Sequence, residues 1–452
     1  MPGRKPGVTK AIPETSIPLD PGAIRRIIEK QEFDFRTASI REMNKLVNCI
    51  EAELGIRFLR MEFGIPGLPA PPIAIEAEVE ALRRGEVAHV YSPFEGIPEL
   101  KEEASRFVHL FLDLDVPPAC CVPTVGAMQG CFASLAVASR RHPDRKTVLF
   151  LEPGFPVNKL QTRLLGLKTA QIDFYDHRAE KLIQAVETRA KKGDLCAVIW
   201  SSPNNPSWIV LKETELEGLG AICDRFDLLA IEDLAYFGMD TRQDYSIPGR
   251  PPFQPTVLRY TRRGICIISS SKIFSYAGQR IALSILSPGL LENDNHNLVE
   301  RFGTSNTLHA FVHGVLYPNT ACVPETPQYG LLALLKAANR GDRSLFRAGK
   351  EYARRAAIMK KLFLGNGFHL VYDNDLGEPL ADGFYFTIAY PGFDLGVDLQ
   401  LRLLHYGISA ITLETAGSCR KEGLRACVSL VSDDQFPILE QRLQQFRQDH
   451  PR

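Results

Sequence analysis

The strongest constraint on this chain is a repeated junction, in which four short apolar runs each stop abruptly at a cluster of small, polar and proline residues. Thr147–Leu151 runs into Glu152-Pro153-Gly154-Phe155-Pro156, and Leu195–Trp200 into Ser201-Ser202-Pro203-Asn204-Asn205-Pro206. Leu228–Ile231 runs into Glu232-Asp233-Leu234-Ala235-Tyr236, and Ile265–Ile268 into Ser269-Ser270-Ser271-Lys272. Short β-branched runs bounded by turn formers read as buried strands, and their rhythm predicts βαβ units with a mostly parallel sheet. In such a sheet ligands sit at the carboxyl ends of the strands, so the polar clusters are the candidates for function. After Arg280 the run Ile281–Leu286 returns with no helix between, which predicts one antiparallel strand.

The cluster Ser269–Arg280 is the most informative. A lysine is by default an exposed surface charge. Here three serines let the backbone approach a ligand, and Arg280 offers a planar fork suited to phosphate. A lysine among such groups is a candidate Schiff-base former. Upstream, Gly126 in Pro123–Gly130 precedes an apolar helix (Cys131 to Ser139). It is either an ordinary loop-to-helix junction or a helix start whose free N–H groups bind phosphate.

The remaining composition excludes several classes. The 452 residues, 45% of them hydrophobic, are ample for two domains or more. Acidic and basic residues balance at 53 each, so nothing favours nucleic acid or an anionic membrane. The ten cysteines are scattered apart from Cys120-Cys121, with no zinc spacing and no disulfide framework. Reduced thiols in a cytoplasm are the expectation, with no metal. The basic N-terminus is not a secretory signal, and no apolar run is long enough to span a bilayer. Residues 1–20 read as an extended arm, followed by helices at Pro21–Gln31 and Thr37–Glu53. The second carries Ser39 and Glu42 as a capping box and is too short and too weakly basic for a DNA reader.

Taken together, the junctions resemble the class I/II aminotransferases, members of the fold-type I pyridoxal-phosphate enzymes. Their Ser-x-x-Lys with an arginine eight residues on is met by Ser269, Lys272 and Arg280, and their Asp-x-Ala-Tyr by Asp233 to Tyr236. Asn205-Pro206 matches the last Asn-Pro of Asn-Pro-x-Asn-Pro-Thr-Gly. The opening asparagine is replaced by Ser201 or absent, and the trailing Thr-Gly is Ser207-Trp208, a departure that would reshape the pocket. Tyr91, Gly96 and Leu100 match Tyr-x-x-x-x-Gly-x-x-x-Leu, and Gly64-Ile65-Pro66 matches a Gly-x-Pro loop. The resemblance covers roughly residues 60–430.

It implies an α/β fold with a large domain (61–325) built on a mostly parallel seven-stranded sheet flanked by helices. A smaller α+β C-terminal domain (326–452) follows, and residues 1–60 pack with it. A long helical region from Gln328 to Phe363, broken near Gly341, bridges the two. The small domain reads as strands at Phe368–Tyr372, Gly383–Tyr390, Ile408–Leu413 and Leu424–Val431, with helices at Leu395–His405 and Asp434–Phe446.

The site residues are carried over in the same way. Lys272 would form a Schiff base with pyridoxal phosphate and act as general base. Gly126, Ala127, Met128, Ser269, Arg280 and Tyr91 of the partner subunit would hold the phosphate, which implies a homodimer. Phe155 would stack on the ring, Asp233 would keep the ring nitrogen protonated, and Asn205 and Tyr236 would bond the phenolic oxygen. Gly64 and Asn205 would line the substrate, and Arg425 would hold its α-carboxylate. The implied reaction moves an amino group between an L-amino acid and a 2-oxo acid. The same cofactor residues would serve a lyase or decarboxylase, or a non-catalytic cofactor-binding sensor. A dicarboxylate substrate needs a second arginine, for which Arg301 and Arg347 are candidates.

Overall fold

The computed structural model describes residues 17–36, 38–292 and 294–451, so the arm expected at 1–20 lies outside the described residues as far as residue 16. From edge to edge the main sheet runs Cys121–Thr124, Ala282–Leu286, Gly264–Ser269, Leu229–Leu234, Leu195–Ser201, Thr147–Glu152 and Lys168–Asp173. Ala282–Leu286 runs against both its neighbours, as the short return predicts. The interior strands are buried along their whole length, because helices cover both faces of a parallel sheet. Lys168–Asp173 was not anticipated. It is an edge strand with no buried residue, so it carries no apolar run to read.

Register places the chemistry. Ser201 pairs with Asp233, and Asp233 with Ile267, so two polar strand ends lie side by side and the third, Ser269, ends the next strand two residues further on. Asp233 belongs to its strand and does not follow it. The helix Gly126–Arg141 lies tightly on this sheet, since a Cβ on Gly130 would stand 2.6 Å from Ser284 Oγ.

A second sheet, antiparallel, orders Ile411–Thr412, Leu424–Cys427, Tyr385–Ala389 and His369–Leu370. The strand expected at Ile408–Leu413 is broken at Ala410. Its first part, Ile408–Ser409, pairs in parallel with Leu59–Arg60 instead. The helices Pro21–Lys30 and Ile40–Leu54 pack their apolar faces on Leu404 and Ile411, and the Ser39–Glu42 capping box forms. Glu325–Asn339 and Arg347–Gly365 are separated at Gly341 (φ +93°). A small hairpin, Asn374–Asp375 with Glu378–Pro379, turns on Leu376 and Gly377, both at positive φ. Arg178 and Arg242 each reach the Asp375 carboxylate at 2.6 Å and tie the hairpin to loops of the main sheet.

Candidate active site

Beyond the strand Gly264–Ser269 the chain folds back through local bonds. Ser271 N–H donates to Ser269 Oγ at 3.2 Å, and Ser270 Oγ donates to Ile281 O at 2.6 Å. Lys272 leaves this turn half-buried. Its Nζ donates to Gly64 O and stands 5.3 Å from the centroid of the Phe384 ring. Burial pushes the ammonium down to about 8; Arg425 and Arg280 act in the same sense, Cys427 and Asp233 against it. A sizeable neutral fraction near neutral pH makes this amine a nucleophile and a base.

The loop that receives Lys272 is fastened to the second sheet. Cys427 N–H donates to Met61 O (3.0 Å), Arg425 Nη2 to Glu62 O (2.6 Å) and Ser429 Oγ to Ile65 O (2.5 Å). Gly64 has no room for a side chain, because a Cβ would overlap Tyr385 Oη.

Arg425 arises from strand register. Thr387 faces Arg425 and Tyr385 faces Cys427, which puts these four side chains on one face of the sheet. The guanidinium lies over the Tyr385 ring and donates through Nη1 to Asn205 Oδ1 at 3.3 Å. It is 4% exposed, and its Nε has no hydrogen-bond partner. Among the described residues no carboxylate pairs with it. A buried cation held only by neutral oxygens is costly, and a carboxylate ligand would remove that cost.

Asp233 shows the opposite imbalance. Its Oδ1 accepts from Ala235 N–H at 3.0 Å. Burial pushes its carboxyl up to about 7, against the Ala235 bond and the charge on Lys272. Tyr236 OH donates to Tyr385 OH at 2.8 Å. Asn205 N–H donates to Ser201 Oγ at 3.3 Å, so Ser201 braces the turn. Trp208 takes a positive φ (+64°) and is 1% exposed, packed on Tyr236 and Tyr385 with ring centroids 5.3 and 6.2 Å apart. Gly383 makes room for it, since a Cβ there would overlap the indole.

The helix Gly126–Arg141 begins without a side-chain cap, which leaves first-turn N–H groups free. Gly126 has φ +68°, and a Cβ on it would overlap the Arg280 guanidinium. Arg280 is exposed, donates to Ala277 O at 3.0 Å and pairs with no carboxylate among the described residues. Partial desolvation and then the nearby charge of Arg41 draw its pKa down. Ala127 is half-buried, and Met128 is exposed with its carbonyl accepting from Gln161 Nε2 at 2.8 Å.

The structure thus brings Lys272, Gly64, Asn205, Asp233, Tyr236 and Arg425 into one cluster, and Gly126 with Arg280 into another beside it. Phe155 is half-buried as the N-cap of the helix Pro156–Leu164. Tyr91 stands apart, 86% exposed. Arg301 and Arg347 are exposed on the helices Val299–Phe302 and Arg347–Gly365. Sequence reasoning missed Phe384, Tyr385 and the carbonyl of Glu62. The run Gly383–Tyr390 reads as a strand, but strand periodicity does not tell which face meets a site.

These imbalances fit one cofactor. The uncapped helix start and Arg280 suit a phosphate. Asp233 lacks a cationic N–H to hold its charge, and Lys272 offers a partly neutral amine to an aldehyde. That is the donor set of pyridoxal phosphate, on the sheet of a fold-type I enzyme. Among the described residues no group of three or more His, Cys, Asp or Glu could hold a metal ion.

Comparison with known proteins narrows the class. The chain belongs to the class I and II aminotransferase family, whose model matches residues 62–342, and it is a pyridoxal-phosphate-dependent aminotransferase. It is 28% identical over 307 residues to a protein of Methanocaldococcus jannaschii described as "Probable aspartate aminotransferase", covering 68% of this chain and 72% of that one. It is 24% identical to the glutamate-pyruvate aminotransferase AlaC of Escherichia coli, covering 68% of each. In fold it is similar to the aspartate aminotransferase of Thermus thermophilus with maleate, with a TM-score of 0.72 at 18% identity over 93% of this chain and 98% of that one. Tyr385 and Arg425 lie beyond the residues that the family model matches.

Proposed function

We propose that this aminotransferase moves an amino group between an L-amino acid and a 2-oxo acid, with Lys272 as catalytic base and Arg425 holding the α-carboxylate. The observation that carries this reading is the shared backbone between the two. Lys272 Nζ donates to the carbonyl of Gly64, and Arg425 Nη2 donates to that of Glu62. One short loop therefore sets the distance between the group that takes a proton and the group that grips the substrate.

Pyridoxal phosphate, when bound, supplies the aldehyde that takes up the amino group and the ring that takes up an electron pair. The chain holds and moves protons. Arg280, Ser269 and the N–H groups of Gly126, Ala127 and Met128 hold the phosphate, with Tyr91 of the partner subunit. Asp233 keeps a proton on the ring nitrogen, and Phe155 covers the ring face. Asn205 and Tyr236 donate to the phenolic oxygen, and Gly64 closes the substrate side. Nζ of Lys272 takes the proton from the substrate α-carbon.

A homodimer follows from the role given to Tyr91. It is supported by the exposed apolar residues Ile73, Ile75, Leu82, Val90 and Phe94 near it in the chain. The two sheets support a division into residues 61–325 and 326–452, with residues 1–60 assigned to pack with the second, and the scattered cysteines support a cytoplasmic location. Among the described residues no helix is long and apolar enough to cross a membrane. The names of the relatives make L-aspartate and L-glutamate the first donors to try. The test is amino transfer to 2-oxoglutarate or pyruvate from single amino acids, read by chromatography. A new amino acid with no ammonia or carbon dioxide supports the reading, and release of either gas in place of a new amino acid would move the protein to the lyases or decarboxylases.

A further inference from the structure

Tyr385 belongs to none of the roles above, yet it touches three of the residues that carry them, Tyr236, Arg425 and Gly64. Its hydroxyl accepts from Tyr236 OH at 2.8 Å, and its ring lies under the Arg425 guanidinium at 4.6 Å. Its Oη occupies the space that a side chain on Gly64 would need. The ring is wedged between Phe384 and Trp208, with centroids 5.1 and 6.2 Å away. Among the described residues Oη has no hydrogen-bond partner other than Tyr236.

A phenol has one proton to give and can also accept. In this structure Tyr236 spends its proton on Tyr385. If Tyr236 is to donate to a cofactor oxygen, the pair must reverse, with Tyr385 donating to Tyr236. Nothing opposes the reversal, because hydroxyl protons rotate and Oη of Tyr385 has no competing acceptor. Burial raises both phenols above their ordinary range, so each keeps its proton and remains a donor. The positive charge of Arg425 acts on both phenols and lies directly over the ring of Tyr385, where it favours donation from that hydroxyl.

We propose that Tyr385 is a positioning residue that acts through Tyr236. Its hydroxyl donates to Tyr236, strengthens the bond from Tyr236 to the phenolic oxygen of the cofactor, and so lowers the pH at which the Lys272–cofactor linkage takes up its proton. Hydrogen bonds in series polarise one another, and the relay ends beside the arginine that receives the substrate carboxylate. This inference rests on the cofactor reading above.

The test is a pH titration of the visible absorption band of the protein loaded with pyridoxal phosphate, for the wild type, Tyr385→Phe, Tyr236→Phe and the double variant. Phenylalanine keeps the ring under Arg425, so a packing role alone predicts no change. The relay predicts that Tyr385→Phe raises the midpoint by about 0.2–0.6 pH unit, the strengthening expected of one added bond in a chain ending on a charged acceptor. Tyr236→Phe should raise it further, and the double variant should match Tyr236→Phe. An unchanged midpoint in Tyr385→Phe would overturn the proposal, as would an equal shift on both backgrounds. Loss of cofactor uptake by Tyr385→Phe would also overturn it, because a relay hydroxyl tunes the linkage and does not anchor the cofactor. If the wild type itself shows no visible band after loading, the cofactor reading fails and the proposal falls with it.

Discussion

The guanidinium carbon of Arg425 lies 4.6 Å from the centroid of the Tyr385 ring, and no carboxylate among the described residues answers its charge. The ring and two neutral oxygens hold the fork in place, on Asn205 at 3.3 Å and Glu62 at 2.6 Å. A buried arginine arranged in this way is prepared for an incoming anion and costs stability until one arrives.

Arg425→Lys should therefore change binding more than chemistry. A lysine keeps the charge and loses the planar two-point contact. Losing one charge-assisted bond is worth about 1.5–3 kcal/mol, so the KM for the amino acid should rise about 10–100-fold, with a smaller change in kcat. Initial rates against substrate concentration check this, and an unchanged KM would remove Arg425 from the substrate site.

Gly126→Ala should weaken the hold on pyridoxal phosphate by about tenfold or more, read as Kd by fluorescence titration. The new Cβ would displace Arg280, and the positive φ adds about 1–2 kcal/mol of backbone cost. Gly166→Ala is the control. Its φ is also positive, +70°, but nothing lies within 4 Å of the new Cβ. It should lower Tm and leave cofactor affinity unchanged.

The contribution of Asp233 to apoprotein stability should fall as pH rises from about 4 to about 7. Asp233 has a folded pKa of about 7 against an ordinary value of 3.8, so the folded state binds the extra proton between these values and unfolding becomes easier as pH increases. Burial shifts Glu232 in the same direction. The full cost is present above about pH 7, up to about 4 kcal/mol for Asp233, and absent below about pH 4. Asp233→Asn should thus melt higher than the wild type at pH 8 without cofactor, equal it near pH 4, and gain less from added cofactor. Thermal melts across pH, with and without pyridoxal phosphate, read all three.

Trp208→Gly would relieve a side chain held at positive φ, worth about 1–2 kcal/mol. It would also empty a buried indole site, which costs about 3–5 kcal/mol for a large aromatic. The cavity wins, and urea unfolding should show a net loss of about 1–4 kcal/mol. The departure from the family's glycine is therefore a packing choice shared with Gly383, and Trp208 keeps the backbone conformation that a glycine would adopt there.

Much of the site was legible because a strand's carboxyl end compresses a role into a few adjacent residues. Lys272, Asp233 and Asn205 all follow or end apolar runs, and the runs are plain to read. Tyr385 and the Glu62 carbonyl were not legible, because their roles depend on pairing across the small sheet and on a loop laid against it. Two adjacent strand residues face opposite ways, and the sequence of Gly383–Tyr390 does not say which face meets Lys272. Lys168–Asp173 hid for another reason, since an edge strand buries too little to carry a pattern. The break at Ala410 hid because two short pairings with different partners look like one strand.

The measurement that bears most directly on the central claim is the visible absorption spectrum of the purified protein loaded with pyridoxal phosphate, before and after a single amino acid, alongside Lys272→Ala. The account predicts a visible band in the wild type that borohydride fixes to the chain, that an amino donor bleaches and that a 2-oxo acid restores. It predicts that Lys272→Ala fixes no cofactor with borohydride and loses about 100-fold or more of the transfer rate. A Lys272→Ala protein that borohydride still labels, or a wild type with no band after loading, would contradict it.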